Sequence, residues 1–175
     1  MSRRTHIASA LLLACLTAGA AGAADFKTLK LADTNVSLVF VTGVIAKGDA
    51  ARFSEIVGAL STAKATIVLE SPGGLVSEAL DIGAQPRQRD FATMVLPDKE
   101  CFSACALIWI ASTRSYMSAS SNIGFHAAYI TVDGQSRETG MGNAEIGFYL
   151  THLGLRVEAI RFITNAPPEG MARLP

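Results

Sequence analysis

Residues 65–84 read ATIVLESPGGLVSEALDIGA, a stretch with two different patterns of apolar residues separated by a turn. Its first part, residues 65–70, is a short apolar run of the kind that forms a buried strand. The break SPGG at residues 71–74 follows, and the apolar residues after it recur at helical spacing. Because proline is excluded from helix interiors, we expect this helix to end at Pro86. A strand that passes through a glycine turn into a helix predicts a layered α/β fold.

The same alternation continues on both sides of this stretch. Further strands are predicted at residues 36–46, 91–97 and 123–130, and further helices at residues 50–63, at 143–163 and in the apolar segment that begins at Ser103. Short strands that are apolar throughout are typical of a mostly parallel sheet with helices on both faces. The sequence therefore predicts one α/β domain at residues 25–175.

Residues 1–24 precede this domain and have the pattern of a secretory signal peptide. Two arginines stand before an apolar run at residues 7–16, which is too short to cross a bilayer. The small residues at positions 21–23 predict cleavage near Ala23 or Ala24. We therefore expect a periplasmic or secreted protein with no stable membrane span after cleavage.

Composition excludes two broad classes of protein. Of the 175 residues, 50% are hydrophobic and 17% are charged, which is unlike a disordered chain. The 15 Lys+Arg balance 15 Asp+Glu, so the chain is not a strongly basic nucleic-acid binder. Loss of the two arginines at positions 3 and 4 with the signal peptide leaves the remaining domain slightly acidic.

The glycine turn is the first place where chemistry could occur. Gly73 and Gly74 lie between a predicted strand and a predicted helix, where backbone amides can be exposed in conformations closed to other residues. Amides at a helix N-terminus bind anions, including the oxyanion that develops during acyl transfer. The alternative is a tight turn that uses glycine only for backbone freedom.

Ser103 and His126 are the other candidate functional residues. Ser103 stands between Phe102 and Ala104 at a predicted loop-to-helix junction, where a serine can present its hydroxyl as a nucleophile. The alternative is an ordinary serine at a helix N-cap. His126 lies in or just beyond a strand among apolar residues, and could be either a general base or a hydrogen-bonded structural histidine.

The SPGG turn, the serine after it and the histidine after that serine together resemble the Clp protease proteolytic subunit and its wider ClpP/crotonase superfamily. The resemblance runs from about residue 43 to residue 163. It implies that Ser103 is the nucleophile, that His126 is its general base, and that the Gly73 and Ala104 amides form the oxyanion hole. The setting Cys-x-Ser-Ala-Cys-Ala and the signal peptide look more like a group of exported ClpP-like bacterial proteins than like the cytosolic protease.

The third member of the catalytic triad departs from this pattern. The family supplies an Asp shortly after the helix that follows the histidine strand, but residues 164–170 read TNAPPEG. Asn165 is our first candidate for orienting the histidine and Glu169 the second, while a Ser-His dyad is a further alternative. The chain stops at Pro175, where the resemblance leads us to expect a further helix and strand, so a truncated C-terminus is also expected.

Cys101 and Cys105 stand on either side of Ser103. An exported protein meets an oxidising compartment, so these cysteines form either a disulfide that rigidifies the serine turn or two buried thiols. No spacing of cysteine, histidine and acidic residues matches a zinc pattern, and we expect no metal and no cofactor.

These observations favour an exported serine hydrolase, a ClpP-like peptidase that acts on peptides or unfolded protein segments. The resemblance also implies a homo-oligomer. The runner-up is a catalytically impaired ClpP-like binding or assembly module. A crotonase-type acyl-thioester enzyme is less favoured, because acyl-CoA is a cytoplasmic substrate and the signal peptide predicts export.

Overall fold

The computed structural model describes residues 23–175. The predicted signal peptide therefore lies almost wholly outside the described residues. The strands are β1 (Asp25–Lys30), β2 (Val36–Thr42), β3 (Lys64–Glu70), β4 (Ala92–Met94), β5 (Glu100–Phe102), β6 (Ser115–Tyr116), β7 (Asn122–Phe125), β8 (Tyr129–Val132), β9 (Gln135–Glu138) and β10 (Ala172–Arg173). The helices are α1 (Asp49–Gly58), α2 (Val76–Gln88), α3 (Ala104–Ala111), α4 (Gly140–His152) and α5 (Val157–Thr164).

The larger sheet has five strands in the order β1-β2-β3-β4-β6. Only β1 is antiparallel to its neighbour, and the other pairs are parallel. Apolar side chains of the central strands, among them Val39, Val41, Ile67 and Leu69, are fully buried. The mostly parallel sheet that the apolar runs predict is therefore present.

A smaller sheet lies beside the larger one and has the order β10-β7-β5. In it β5 and β7 are parallel, and β10 is antiparallel to β7. Helix α3 packs on α2 and on strands of both sheets, and it is buried along almost its whole length. An apolar helix with no polar face is stable only in such a position. Ser103 directly precedes this helix, so it lies where the two sheets meet.

Three predicted helices differ from the structure, and the first of them, predicted at residues 50–63, already ends at Gly58. Helix α2 contains Pro86 and continues to Gln88, so the prediction that it ends at the proline is wrong. Pro86 lies in the last turn, where its missing N–H removes one hydrogen bond to the preceding turn and little of the helix remains after it. The helix predicted at 143–163 is two helices, because Gly154 adopts a φ of 82° and reverses the chain after α4.

The strand predicted at residues 123–130 is also divided. Strand β7 ends at Phe125, and β8 begins at Tyr129 in a separate hairpin with β9. The three residues between these strands have no regular structure, and the first of them is His126. The orientation of the His126 side chain is therefore not fixed by the alternation of a continuous strand.

Candidate active site

The SPGG turn connects the two sheets. Strand β3 ends at Glu70, and Ser71 then forms an isolated parallel bridge with Cys101. The Ser71 amide donates to the Glu100 carbonyl at 2.9 Å, and the Phe102 amide donates to the Ser71 carbonyl at 3.0 Å. These bonds hold the turn against β5, the strand that leads to Ser103. The glycine turn and the candidate nucleophile are thus fixed relative to each other.

Both glycines of the turn are required by their surroundings. Gly73 has a φ of 106° and Gly74 a φ of 149°, in a region that other residues rarely adopt. A Cβ on Gly73 would lie 2.7 Å from the Cβ of Ser103. A Cβ on Gly74 would lie 2.0 Å from the carbonyl oxygen of Ile45. The turn can approach the serine and the β2 extension this closely only because neither residue has a side chain.

Ser103 has an unusual backbone conformation. Its φ is 56° and its ψ is −124°, at the point where β5 turns sharply into α3. Such positions cost of order 1–3 kcal/mol and are concentrated at functional sites, where the surroundings hold them in place. The Ser103 amide donates to the Gly124 carbonyl at 2.8 Å, which ties this turn to β7. The side chain makes no capping hydrogen bond, so the ordinary N-cap alternative does not describe it.

The backbone amides near Ser103 differ in whether they already donate a hydrogen bond. In the described part of the chain, the Ala104 amide, which is the first of α3, has no hydrogen-bond acceptor, and neither has the Gly74 amide. The Gly73 amide already donates to Ser71 Oγ at 3.0 Å. Of the three predicted oxyanion donors, Ala104 and Gly74 are therefore free, whereas Gly73 would have to share its hydrogen or turn it away from Ser71.

Ser103 and His126 line the same cavity. It has a volume of about 120 Å³ and is lined by Pro72, Gly74, Val76, Ser103, His126, Ala128 and Tyr129. Both candidate side chains are half-buried, and no hydrogen bond joins them. The ring of Tyr129 lies 5.5 Å from the imidazole, centroid to centroid. The structure thus brings the serine and the histidine to one cavity, in an arrangement looser than a formed catalytic pair.

The His126 ring is hydrogen-bonded to a backbone carbonyl that the sequence analysis did not predict. Its Nδ1 lies 2.8 Å from the carbonyl oxygen of Ala127. A carbonyl oxygen can only accept, so this contact assigns the ring proton to Nδ1 and leaves Nε2 as the basic nitrogen. Every residue has a backbone carbonyl, so the sequence does not indicate which of them will orient the histidine.

Asn165 and Glu169, the predicted third triad members, are not hydrogen-bonded to His126. Both residues are exposed, and Asn165 directly follows α5. Their segment does approach the histidine loop, since the Ala127 amide donates to the Ala166 carbonyl at 2.8 Å. The backbone of the predicted segment is thus close to the site, but neither of its candidate side chains orients the ring.

A disulfide connects Cys101 and Cys105, with their Cα atoms 5.2 Å apart. Cys101 belongs to β5 and Cys105 to the first turn of α3, and both are fully buried. The bond spans the turn at Ser103. Among residues 23–175 no group of three or more metal-ligating side chains comes together, and no helix is long and apolar enough to cross a membrane.

The sequence matches no protein-family model and no curated protein. Solved structures do share its fold. A serine-to-alanine mutant of the 1510-N membrane-bound stomatin-specific protease superposes with a TM-score of 0.59 and 17% identity, over 74% of this chain and 68% of its own. A lysine-to-alanine mutant of that protease, in complex with a substrate peptide, has a TM-score of 0.55 and 20% identity, over 70% of this chain and 60% of its own.

The chain has a ClpP-like α/β fold. The predicted fold class is therefore confirmed. The neighbour was also solved with a lysine replaced by alanine. This chain has no lysine after Lys99, so none follows Ser103 in its sequence. Lys99 itself pairs with Glu70 Oε1 at 2.9 Å, and neither residue lines the cavity of Ser103. Among the residues that line this cavity, His126 is the one suited to act as a base near neutral pH.

Proposed function

We propose that the protein is a serine hydrolase, and that it acts as a peptidase on peptides or unfolded protein segments. One observation carries this proposal: Ser103 has a strained strand-to-helix backbone beside a glycine turn and lines one cavity with His126. A serine that only fills space or caps a helix has no need of such a conformation. The peptide substrate is suggested by the neighbouring fold, which was solved with a substrate peptide in a protease.

The proposed chemistry begins with a small side-chain movement. Substrate binding would bring Ser103 Oγ into hydrogen-bond contact with His126 Nε2, as catalytic contacts often tighten only in the substrate complex. Nε2 then takes the hydroxyl proton while Oγ bonds to the substrate carbonyl carbon. The imidazolium returns this proton to the leaving amine as the C–N bond breaks, and water releases the acyl group by the same route.

The developing oxyanion needs donors that are already in place. Among the described residues, the Ala104 amide is unbonded and follows the nucleophile directly, and Gly74, whose amide is also unbonded, lines the cavity of Ser103. We assign these two amides the principal role and give Gly73 a shared role, because its hydrogen is directed to Ser71 Oγ. Each good donor contributes about 3–4 kcal/mol to such transition states in other hydrolases.

We further propose that the protein is exported and forms homo-oligomers. Export rests on the signal-peptide pattern of residues 1–24, and assembly rests on the resemblance to the Clp protease family. An exported location also suits the disulfide beside Ser103, since disulfides persist in oxidising compartments.

A second candidate function is a ClpP-like binding or assembly module without catalysis. The absence of a Ser103–His126 hydrogen bond and of an acid oriented toward the histidine favours it. Such a module would keep the fold and the glycine turn but would not activate the serine. The two candidates differ in one measurable property, the nucleophilicity of Ser103.

Labelling with a fluorophosphonate probe tests the proposal. The wild-type protein is expected to be labelled at Ser103, and Ser103→Ala is expected to abolish labelling. His126→Ala should slow labelling by about 10²–10⁴-fold, the usual contribution of a general base. Exposed Ser61 and His152 provide the matched controls Ser61→Ala and His152→Ala, which should label like the wild type. A folded wild-type protein that stays unlabelled would favour the binding module.

A further inference from the structure

Ala24 lies in an unusual place for a residue so near the start of the described chain. Ala23 is exposed, but Ala24 is only 1% exposed and belongs to the hydrophobic core. Its amide nitrogen lies 3.0 Å from Asp49 Oδ2, and its carbonyl accepts from Arg52 Nη1 at 3.1 Å. Ala24 is thus a buried residue between two exposed neighbours, Ala23 and Asp25, and both of its backbone polar groups are bonded to α1.

The partner of the Ala24 nitrogen is a fully buried carboxylate. Asp49 is 0% exposed and is the first residue of α1. Its Oδ2 also accepts from the Ala46 amide at 2.8 Å, and its Oδ1 pairs with Arg52 Nη1 at 2.8 Å. A buried charge requires hydrogen bonds and opposite charge close by. Each oxygen of Asp49 therefore has its own partner, Arg52 on one side and the Ala24 nitrogen on the other.

The sequence predicts a cleavage signal next to Ala24. Small residues at positions 21–23 predict removal of the leader near Ala23 or Ala24, but they do not decide between the two. A cut after Ala24 would remove a buried residue and one of the donors to Asp49. A cut before Ala24 would keep both and would create an α-amino group at the nitrogen that already contacts Asp49.

We propose that processing cuts between Ala23 and Ala24, and that the new α-ammonium group of Ala24 forms a buried ion pair with Asp49. Water adds across the Ala23–Ala24 peptide bond and the C–N bond breaks, giving a carboxylate on Ala23 and an ammonium group on Ala24. The nitrogen that donated one hydrogen bond as an amide then has a positive charge and three donors. Processing thus gives the buried carboxylate of Asp49 a second positive partner beside Arg52 and stabilises the mature fold.

This inference is independent of the chemistry at Ser103, but it rests on the proposed export. The first experiment expresses the full chain in a bacterium, recovers the protein from the periplasm and measures its intact mass and N-terminal sequence. A chain that begins at Ala24 supports the proposal. A chain that begins at Asp25 or elsewhere overturns this inference while export stands. Protein that keeps its leader overturns export and this inference together.

The second experiment tests the ion pair. A glycine inserted between Ala23 and Ala24 of the full chain leaves the small residues of the cleavage signal in place, and its product should begin with that glycine. Because the ammonium is then one residue too far from Asp49, the melting temperature should fall by several degrees. In Asp49→Asn the same insertion should cause less than half of that shift. Asp33→Asn, at an exposed turn, is the control that should keep the full shift.

Equal shifts in the wild-type and Asp49→Asn backgrounds would overturn the ion pair. If Asp49→Asn does not fold, the reactivity of the amino group decides. In the native protein the Ala24 amine should react with an amine-directed acylating reagent at neutral pH at least tenfold more slowly than in urea. Equal rates in the two conditions would show an exposed, unpaired N-terminus.

Discussion

At the scale of single residues, the glycine turn has no room for an added side chain. The Cβ of an alanine at position 74 would overlap the backbone of Ile45, which cannot move without disturbing the contact between its segment and the turn. Gly74→Ala should therefore lower the free energy of unfolding by about 1–3 kcal/mol or more. Gly147 lies in α4 with open space around it, so the control Gly147→Ala should be neutral or stabilising by about 0.5–1 kcal/mol. Urea denaturation measures both, and an unchanged Gly74→Ala would contradict the packing of the turn.

The residues predicted to complete a triad should matter little. His126 is oriented by the Ala127 carbonyl, and the exposed side chains of Asn165 and Glu169 make no hydrogen bond to it. We expect Asn165→Ala and Glu169→Ala to label with the fluorophosphonate probe within about threefold of the wild type, far from the 10²–10⁴-fold effect of losing a general base. A loss of 100-fold in either variant would mean that its side chain turns toward the histidine in the active state.

At the scale of secondary structure elements, the disulfide joins the end of β5 to the first turn of α3. Replacing both cysteines, as Cys101→Ala with Cys105→Ala, removes the one covalent restraint across the Ser103 turn. We expect a loss of about 2–4 kcal/mol in the free energy of unfolding, toward the lower end because the closed loop is short. We also expect slower probe labelling, because the strained serine is then held only by its hydrogen bonds to neighbouring strands.

The control for this variant is Val95→Ala, which also removes a fully buried side chain but lies outside the turn. It should lose stability without losing the labelling rate. If the cysteine variant labels as fast as the wild type, then the bonds from Ser103 to Gly124 and from Phe102 to Ser71 hold the turn by themselves.

At the scale of the whole molecule, the surface of α4 bears on the proposed assembly. Met141 and Phe148 stand seven residues apart on one helical face, and they are 73% and 76% exposed. Large exposed apolar side chains that cluster on one face are typical of contact surfaces. We expect Phe148→Glu to lower the molecular mass measured by sedimentation. Leu29→Glu, at an apolar residue 52% exposed on β1, is the control that should assemble normally. A wild-type protein that is monomeric at all concentrations would contradict the proposed oligomer.

Local sequence patterns predict much of the architecture. The apolar run at residues 65–70, the turn at 71–74 and the apolar segment after Ser103 became β3, the glycine turn and α3, because the residue pattern that predicts each of them is local. Boundaries were harder to predict. The apolar spacing of residues 143–163 continues through Gly154, so the pattern alone concealed the break between α4 and α5.

For the candidate site, the residues that could take part were predictable from the sequence: the glycines of the turn, Ser103, His126 and the two cysteines beside the serine. Their types and order are local properties of the chain. Their arrangement was not predictable: the strained backbone of Ser103, the cavity it lines with His126, and the backbone carbonyl that orients the ring are seen only in the folded chain. These depend on contacts between distant segments, such as the Ser103 amide with Gly124 and Ala24 with Asp49. Such contacts form only when the sheets pack together, and the spacing of residues along the chain does not predict them.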